Sequence, residues 1–468
     1  MRRLWLLALG LLSGCATFQP RPISPAGSLA AYESRSLANP GLGKFLAANR
    51  VAVPGRGQPW DLKALTLAAF YYQPSLAYAR AQLLAAQAAR ITARERPNPS
   101  LSLTPAHDSG VPGVSSPSPW IVPIAIDWPI QTAGRRGDRM AEARHLAVAA
   151  RWDLVGTVWG VRSRLRSALL DLFTARQTES LLARQVSALR RVLNLLEGQF
   201  RAGVVSSYDV TRARIALDNA TLARQAQQGR IREARIALAG AIGVPVSALR
   251  GVHLSCAGFK QFPRDLTRPA VRQQALLGRS DVRAALAQYA ASQSALKLEV
   301  ARQWPNIALG PGYAWNSQLA GDREWQLGLS LTLPVLNQNQ GPIAEARARR
   351  RAAAAQFLGV QSAAVAQIDG ALAAYRSTLG QVRTAESLLG NLRRQLKSIR
   401  AQVNAGELQP LDLANAEVAF FAGAQNRLAA RIAAQQALGA LQDAVQSPLT
   451  LHPSLLQSAQ NSPYSTRP

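Results

Sequence analysis

The stretch LARQVSALRRVLNLLEGQF, residues 182–200, places Leu182, Val186, Leu189, Leu193, Leu196 and Phe200 at alternating steps of four and three. That spacing is the apolar seam of a coiled coil, in which each side chain enters a hole on a facing helix. The stretch AESLLGNLRRQLKSIRAQV, residues 385–403, carries the same seam at Ala385, Leu389, Leu392, Leu396, Ile399 and Val403. Every position of the second seam is its counterpart plus 203. Ala-rich helices imitate one another by composition, but not by register.

The offset extends outward through residues that are not helix filler. Ala141-Glu142-Ala143-Arg144 recurs as Ala344-Glu345-Ala346-Arg347, Ala202-Gly203 with Asp209 as Ala405-Gly406 with Asp412, and Ala213 answers Ala416. Upstream it drifts to 205 for Trp120 and Pro129 against Trp325 and Pro334. It reaches 206 for Pro99-x-Leu101-x-Leu103 against Pro305-x-Ile307-x-Leu309. Small insertions at turns account for the drift. The chain is an internal duplication.

Proline punctuates each copy. None of the 27 lies between Ile130 and Val244, between Ile343 and Gln409, or between Leu411 and Ser447, so long helices are expected there. Repeat one, residues 61–250, is read as a helix over Asp61–Arg96, strands near Pro99–Pro105 and Trp120–Pro129, a helix over Arg136–Phe200 and a return over Asp209–Ile242. Repeat two, residues 270–446, is read as a helix over Ala270–Arg302, strands near Pro305–Trp315 and Arg323–Pro334, and helices over Ile343–Val403 and Pro410–Ala444. The fold class is mainly α with a small β part, four strands per chain. Residues 251–269 read as a linker and 447–468 as a tail without a site.

The first residues are set apart from the fold. Arg2 and Arg3 precede a short apolar run that ends in Leu12-Ser13-Gly14-Cys15, which resembles a bacterial lipoprotein cleavage box. The expectation is a signal peptide over 1–14, a covalent lipid on Cys15 and a lipidated linker over 15–60. Ala16, where an Asp would suggest inner-membrane retention, points to the outer membrane. No uninterrupted apolar run near the length of a membrane helix follows, so a span would have to be a β-barrel. Leu327, Leu329, Leu331 and Leu333 alternate with Gly328, Ser330 and Thr332, while Ile121, Ile124, Ile126 and Trp128 alternate imperfectly. Trp120, Trp128, Trp315 and Trp325 are placed at strand ends, where interfacial aromatics belong. Four strands cannot close a barrel. Three copies supply twelve.

Over nearly its whole length the chain resembles the TolC family of outer-membrane factors. The resemblance is carried by Cys15 and its box, the two strand pairs and the paired Ala-Gly-x5-Asp turns. The stretch Leu333-Pro334-Val335-Leu336-Asn337-Gln338-Asn339-Gln340-Gly341-Pro342-Ile343 is similar to the heavy-metal-efflux, CzcC-like branch. The resemblance implies a homotrimer with a shared 12-stranded β-barrel above a periplasmic α-barrel. It also implies a periplasmic adaptor and an inner-membrane pump, commonly of the RND class. Gly203, Val204, Val205 and Asp209, with Gly406, Glu407, Leu408 and Asp412, then correspond to the adaptor-contacting tips. Helix capping by Asp209 and Asp412 is the competing reading of those acids. Asp412 matches the first acidic position of the family's constriction, but Asn415 stands where a second acid is expected and Arg212 at the equivalent place in repeat one. A weak cation preference follows as an expectation.

The net charge of +28 would suit nucleic acid, but the 54 Lys and Arg are strewn along helices without a nucleic-acid motif. Attraction to anionic lipid or lipopolysaccharide is physically reasonable, but Arg-rich codon usage explains the charge as well. His107, His145, His253 and His452 share no ligand spacing, so no metal site or cofactor is expected. No nucleophile–base pair suggests an enzyme. Cys256, the remaining thiol, reads as a small buried apolar residue. A type I protein-secretion channel, a non-inserted periplasmic coiled-coil lipoprotein and an adaptor are the rivals. The last lacks its β-modules here.

Overall fold

A computed structural model describes residues 18–55, 57–107, 120–263, 269–316 and 322–446. The signal segment with Cys15, and the tail 447–468, lie outside the described residues. In chain order the helices are α1 (Pro25–Glu33), α2 (Pro40–Ala48), α3 (Leu62–Tyr72), α4 (Pro74–Arg94), α5 (Arg135–Arg201), α6 (Ser207–Ile242), α7 (Pro269–Gly278), α8 (Ser280–Ala301), α9 (Gln340–Asn404) and α10 (Pro410–Val445). The strands are β1 (Ser100–Leu103), β2 (Ala106–His107), β3 (Trp120–Ile130), β4 (Ile307–Asn316) and β5 (Asp322–Leu331). Helix α5 has 67 residues and α9 has 65, each roughly 100 Å at 1.5 Å per residue.

The sheet is wholly antiparallel in the order β1-β3-β4-β5, with β2 also on β3. β1 and β2 keep one register on β3, so they form a single strand interrupted at Thr104-Pro105. The β3–β4 ladder misses Ile126 and Asp127, opposite Pro311, which has no N–H to donate. Pairing fixes the faces. Leu101 and Leu103 lie across from Ile126 and Ile124, Ile124 from Tyr313, Trp128 from Leu309, and Leu309 from Leu329. One face therefore carries Leu, Ile, Val, Trp and Tyr from every strand. The other carries Ser100, Ser102, Ala125, Asp127, Gly310, Gly312, Gly328 and Ser330. The alternation of β3 that looks imperfect in sequence is regular from Trp120 to Ile130, with Ile121 the one large apolar residue on the small-residue face.

Below the sheet the helices form a single layer. In the half nearer the sheet the neighbours run α4–α5–α8–α9, and in the far half α6–α5–α10–α9. Helices α6 and α10, 36 residues each, return only halfway, and α4 and α8 continue their lines toward the sheet. Helix α5 lies inside the layer and α9 at its edge: α5 buries Leu154, Val158, Val161, Leu165 and Leu169 among its many core residues, whereas α9 buries few. An Ala-rich window of α9 is also long and apolar enough to cross a membrane, with only 11% of it buried.

Two helical readings and one linker reading are corrected. The helix expected over Asp61–Arg96 is two, because Gln73 is extended and Pro74 starts a new helix at N1. The helix expected over Ala270–Arg302 also breaks, at Arg279, which is extended without a proline. Its buried guanidinium reaches Ala444 O at 2.8 Å, Gln367 Oε1 at 2.8 Å and Asp281 Oδ1 at 3.0 Å, contacts that a continuous helix would forgo. The N-terminal segment is no bare linker. Ser24 and Asn39 cap α1 and α2 ahead of Pro25 and Pro40, and Leu42 and Leu46 are fully buried with α3 and α5. Trp60 N donates to His253 O and Ser255 N to Trp60 O, both at 2.8 Å. The two linker segments thus join as a belt at mid-height. Cys256 is half-buried on that belt, and burial pushes its thiol pKa up, against a weaker opposing pull from Arg176.

Charged side chains hold the belt to the layer. Arg166 Nη2 donates to Gln435 Oε1 at 2.9 Å, and Gln435 Nε2 to Phe259 O at 2.9 Å and Gln261 O at 2.8 Å. Burial, with Arg162 nearby, brings the Arg166 pKa down to about 10, so it stays charged at neutral pH. Gly243, in the left-handed region at φ +90°, closes α6 where a Cβ would sit 3.1 Å from the Tyr72 backbone. Its carbonyl accepts from Arg35 Nη1 at 2.6 Å. Gly243→Ala is expected to cost about 2 kcal/mol or more, from left-handed strain plus the clash. A drop of several degrees in apparent melting temperature checks it; an unchanged value would refute this packing account.

Candidate functional site

Two surfaces qualify: the apolar face of the sheet and the helix turns about 100 Å away. On the sheet, Trp325 is 84% and Leu327 75% exposed, far beyond what isolated surface residues explain. Trp120, Trp315, Trp325 and Tyr313 cluster toward the loop end, with Tyr313 and Trp325 rings 5.0 Å apart. Trp128 and the exposed Trp304 mark the helix end. Aromatics above and below an aliphatic band form the two girdles of a membrane strand set. Trp325, across from Tyr313, sits inside its strand rather than at the end.

The sheet meets the helices through side chains on carbonyls. Arg135 donates to Ala301 O at 3.2 Å, Arg302 O at 3.3 Å, Trp304 O, and Asn306 Oδ1 at 2.8 Å. Arg136 Nε reaches Arg94 O at 2.8 Å, and Arg139 reaches Ala93 O and Glu95 O at 3.0 and 2.8 Å. These cations satisfy the orphan carbonyls of two helix C-termini and match their dipoles. In repeat two the conspicuous 333–343 stretch supplies the turn. Asn339 adopts φ +63° and its amide holds Glu299 O at 2.7 Å.

At the far end the two turns are superposable in their hydrogen bonds. Gly203 N bonds Phe200 O at 2.9 Å and Val204 N bonds Gln199 O at 2.9 Å; Gly406 N bonds Val403 O at 3.1 Å and Glu407 N bonds Gln402 O at 2.9 Å. Each is a Schellman closure with glycine left-handed, at φ +71° and +79°. A Cβ on either glycine would meet no atom within 4 Å, so backbone conformation alone calls for glycine. Val204 and Glu407 are exposed; Val205 and Leu408 are half-buried. Asp209 Oδ2 accepts from Ser206 N at 3.1 Å and Ser206 Oγ at 2.6 Å. Asp412 Oδ2 accepts from Gln409 N at 3.0 Å. Both acids therefore cap returning helices, and the Ser206 bonds hold the Asp209 carboxyl below its ordinary pKa. Asp412, Asn415 and Arg212 are all exposed along their helices.

The turns are tied together by residues outside the glycine motif. Gln199 Nε2 donates to Gln409 Oε1 at 3.0 Å across the two turns. Glu417, mostly buried, pairs with Arg400 of its own hairpin at 3.2 Å and with Arg191 of α5. In repeat one the equivalent positions are Glu197 and Arg214, paired at 2.7 Å. The pair recurs in both copies with its charges exchanged. The offset of 203 holds that signal, because 197 and 214 map onto 400 and 417. Between the hairpins Val192, Leu193, Ala213 and Ala414 form a small core. Among the described residues no group of three His, Cys, Asp or Glu is placed to hold a metal ion.

The family model described as outer membrane efflux protein matches residues 69–244 and 271–445. The chain belongs to that family. The model matches it twice, once in each repeat. A curated relative, the cobalt-zinc-cadmium resistance protein CzcC of Cupriavidus metallidurans, is 22% identical over 213 residues, 46% of this chain. That match spans half of the relative's length. Among solved structures, the CmeC outer membrane channel of Campylobacter jejuni superposes with a TM-score of 0.69 at 16% identity, covering 87% of this chain and 90% of that one. The outer membrane protein VceC of Vibrio cholerae gives 0.66 at 18%, covering 82% and 95%. The family's fold is thus a mostly helical layer with a small antiparallel sheet.

Glu417→Gln is expected to remove about 1 kcal/mol of tip stability and to abolish most of the effect of Arg191→Gln. A double-mutant cycle on apparent melting temperature reads the coupling. Strictly additive shifts would show that the Glu417 link carries none.

Proposed function

We propose that three copies of this chain form an outer-membrane channel, a passive conduit from a periplasmic adaptor and an inner-membrane pump to the outside. The observation that carries the reading is the sheet, which among the described residues has two free edges and one continuous apolar face. Strands β1 and β4 run away from the helices and β3 and β5 toward them. The β5 edge of one copy therefore meets the β1 edge of the next antiparallel, and three copies close twelve strands with alternating direction throughout. The apolar face turns to lipid and the Gly, Ser and Ala face to the lumen. Closure also covers the exposed flank of α9 against α4 and α6 of the neighbour, which gives its Ala-rich window an apolar partner without a membrane span.

In this assembly the paired turns lie at the pump-facing end, where Gly203, Val204, Gly406 and Glu407 offer exposed backbone and side chains to an adaptor. Cys15 would carry the lipid that joins the N-terminal belt to the membrane. The non-inserted lipoprotein reading leaves Trp325, Leu327 and Leu329 in water, at about 25 cal/mol per Å2 of apolar surface. The fold assigns no pump class and no cargo, because specificity in such a conduit rests with the pump. The channel reading includes no catalytic chemistry.

Detergent-extracted protein is expected to behave as a trimer that survives mild SDS and dissociates on heating. A monomer released by buffer alone would overturn the channel. At the constriction Asp412 supplies the only acid among the three candidate residues, and its carboxylate already caps α10. Single-channel reversal potentials are expected to show weak cation preference that weakens further in Asp412→Ala. A strong preference, unchanged by that substitution, would place the selectivity elsewhere.

A further inference from the structure

Just below the helix end of the sheet, α4 and α5 enclose an open groove of about 450 Å3, lined by Gln87, Arg90, Ile91, Arg94, Met140 and Arg144 among others. Five arginines in this zone are committed to partners. Arg135, Arg136 and Arg139 hold carbonyls, Arg302 pairs with Glu299 at 2.6 Å, and Arg349 pairs with Glu345. Arg90, Arg94 and Arg144 are different. Among the described residues no acid lies within ion-pair reach of any of them, and all three side chains are exposed. The acids on this part of α5 lean the other way. Asp138 borders the space between α5 and α8, and Glu142 feels the charges of Arg302 and Glu299 on the α8 side. Ile91 is 68% exposed, which gives three cations an apolar floor.

Helix phase shows which side the groove opens on. Steps of three and four lead from Gly137, Met140 and Arg144 through Ala147 and Arg151 to Leu154, Val158, Val161 and Leu165. The last four pack in the cluster with α2 and α3. The groove thus shares its side with the N-terminal belt, which a conducting channel must carry outside. Arg94 ends α4 six residues before β1, within reach of the headgroup layer that adds about 5–7 Å to each side of the hydrocarbon. Long Arg side chains extend toward such a layer while their stems stay on apolar surface.

We propose that this groove binds an anionic phospholipid of the periplasmic leaflet: Arg90, Arg94 and Arg144 hold its phosphate, and Ile91, Met140 and Ala141 receive its glycerol and upper acyl carbons. The proposal rests on the channel reading, since only insertion brings the groove to the leaflet. It also gives a local task to part of the net charge, at about fivefold in affinity for each arginine near an anionic surface.

Full-length protein purified in detergent, with phosphatidylglycerol or phosphatidylcholine of equal chain length added, would be read by native mass spectrometry. The trimer is expected to retain phosphatidylglycerol preferentially. The triple variant Arg90→Gln, Arg94→Gln, Arg144→Gln is expected to lose on the order of a hundredfold of that affinity, while Arg164→Gln, on another side of α5, keeps it. Equal retention of the two lipids, or an unchanged triple variant, overturns the site. So does displacement by millimolar glycerol phosphate, which would mean a free-anion site. Lipid-free trimers of the triple variant that dissociate more easily would assign the arginines to the neighbouring copy and overturn it too. These failures in an intact trimer leave the channel reading standing; a detergent-independent monomer would overturn both.

Discussion

In hydrocarbon every backbone N–H and C=O must find a partner within protein, at several kcal/mol for each that does not. In this chain the requirement falls on two strands. β3 and β4 are paired on both sides, but among the described residues the outer edges of β1 and β5 are open, and their side chains on one face are mainly apolar. The edges have opposite direction, so one can satisfy the other only in a second copy. Oligomerisation is then a condition of insertion, and the symmetry of the helical layer follows from that of the sheet above it.

The layer transmits that constraint over a long distance without a conventional core. Helix α5 is continuous and internal, and the half-length returns α6 and α10 leave room for α4 and α8 to continue their lines. Where these helices change over, the N-terminal segment and the inter-repeat segment meet in one belt. Leu42, Leu46, Trp60 and Phe259 fill it, and Arg35 and Arg166 bond carbonyls or amides across it. At the sheet, Arg135, Arg136 and Arg139 fix helix ends by their carbonyls. Part of the positive charge is therefore structural, committed to helix termini that would otherwise be unsatisfied.

The long helices, the strands and the duplication are legible because each is set by local periodicity: seams at three and four, alternation at two, and proline where either stops. The regular alternation of β3 becomes visible only from its pairing, since Ile121 hides it in one dimension. The break at Pro74 and the caps at Ser24-Pro25 and Asn39-Pro40 are readable local signals, and they outrank the long-helix and linker readings. The break at Arg279 is not legible, for its cause is a buried guanidinium reaching Ala444 and Gln367 far along the chain. At the turns, glycine and the capping acids are plain in sequence. The choice between cap and constriction charge for Asp412 requires the position of Gln409 N.

The exchanged pair, Glu197 with Arg214 and Arg400 with Glu417, has a consequence for how a duplicated chain sorts its own halves. Two hairpins with the same seam, length and glycine turn could trade return helices at little cost in apolar packing. With the charges inverted, the wrong match sets Arg214 against Arg400 or Glu197 against Glu417, and like charges in such close pairs repel. The inversion acts as an address label, so that each descending helix recognises its own partner while the seams remain interchangeable.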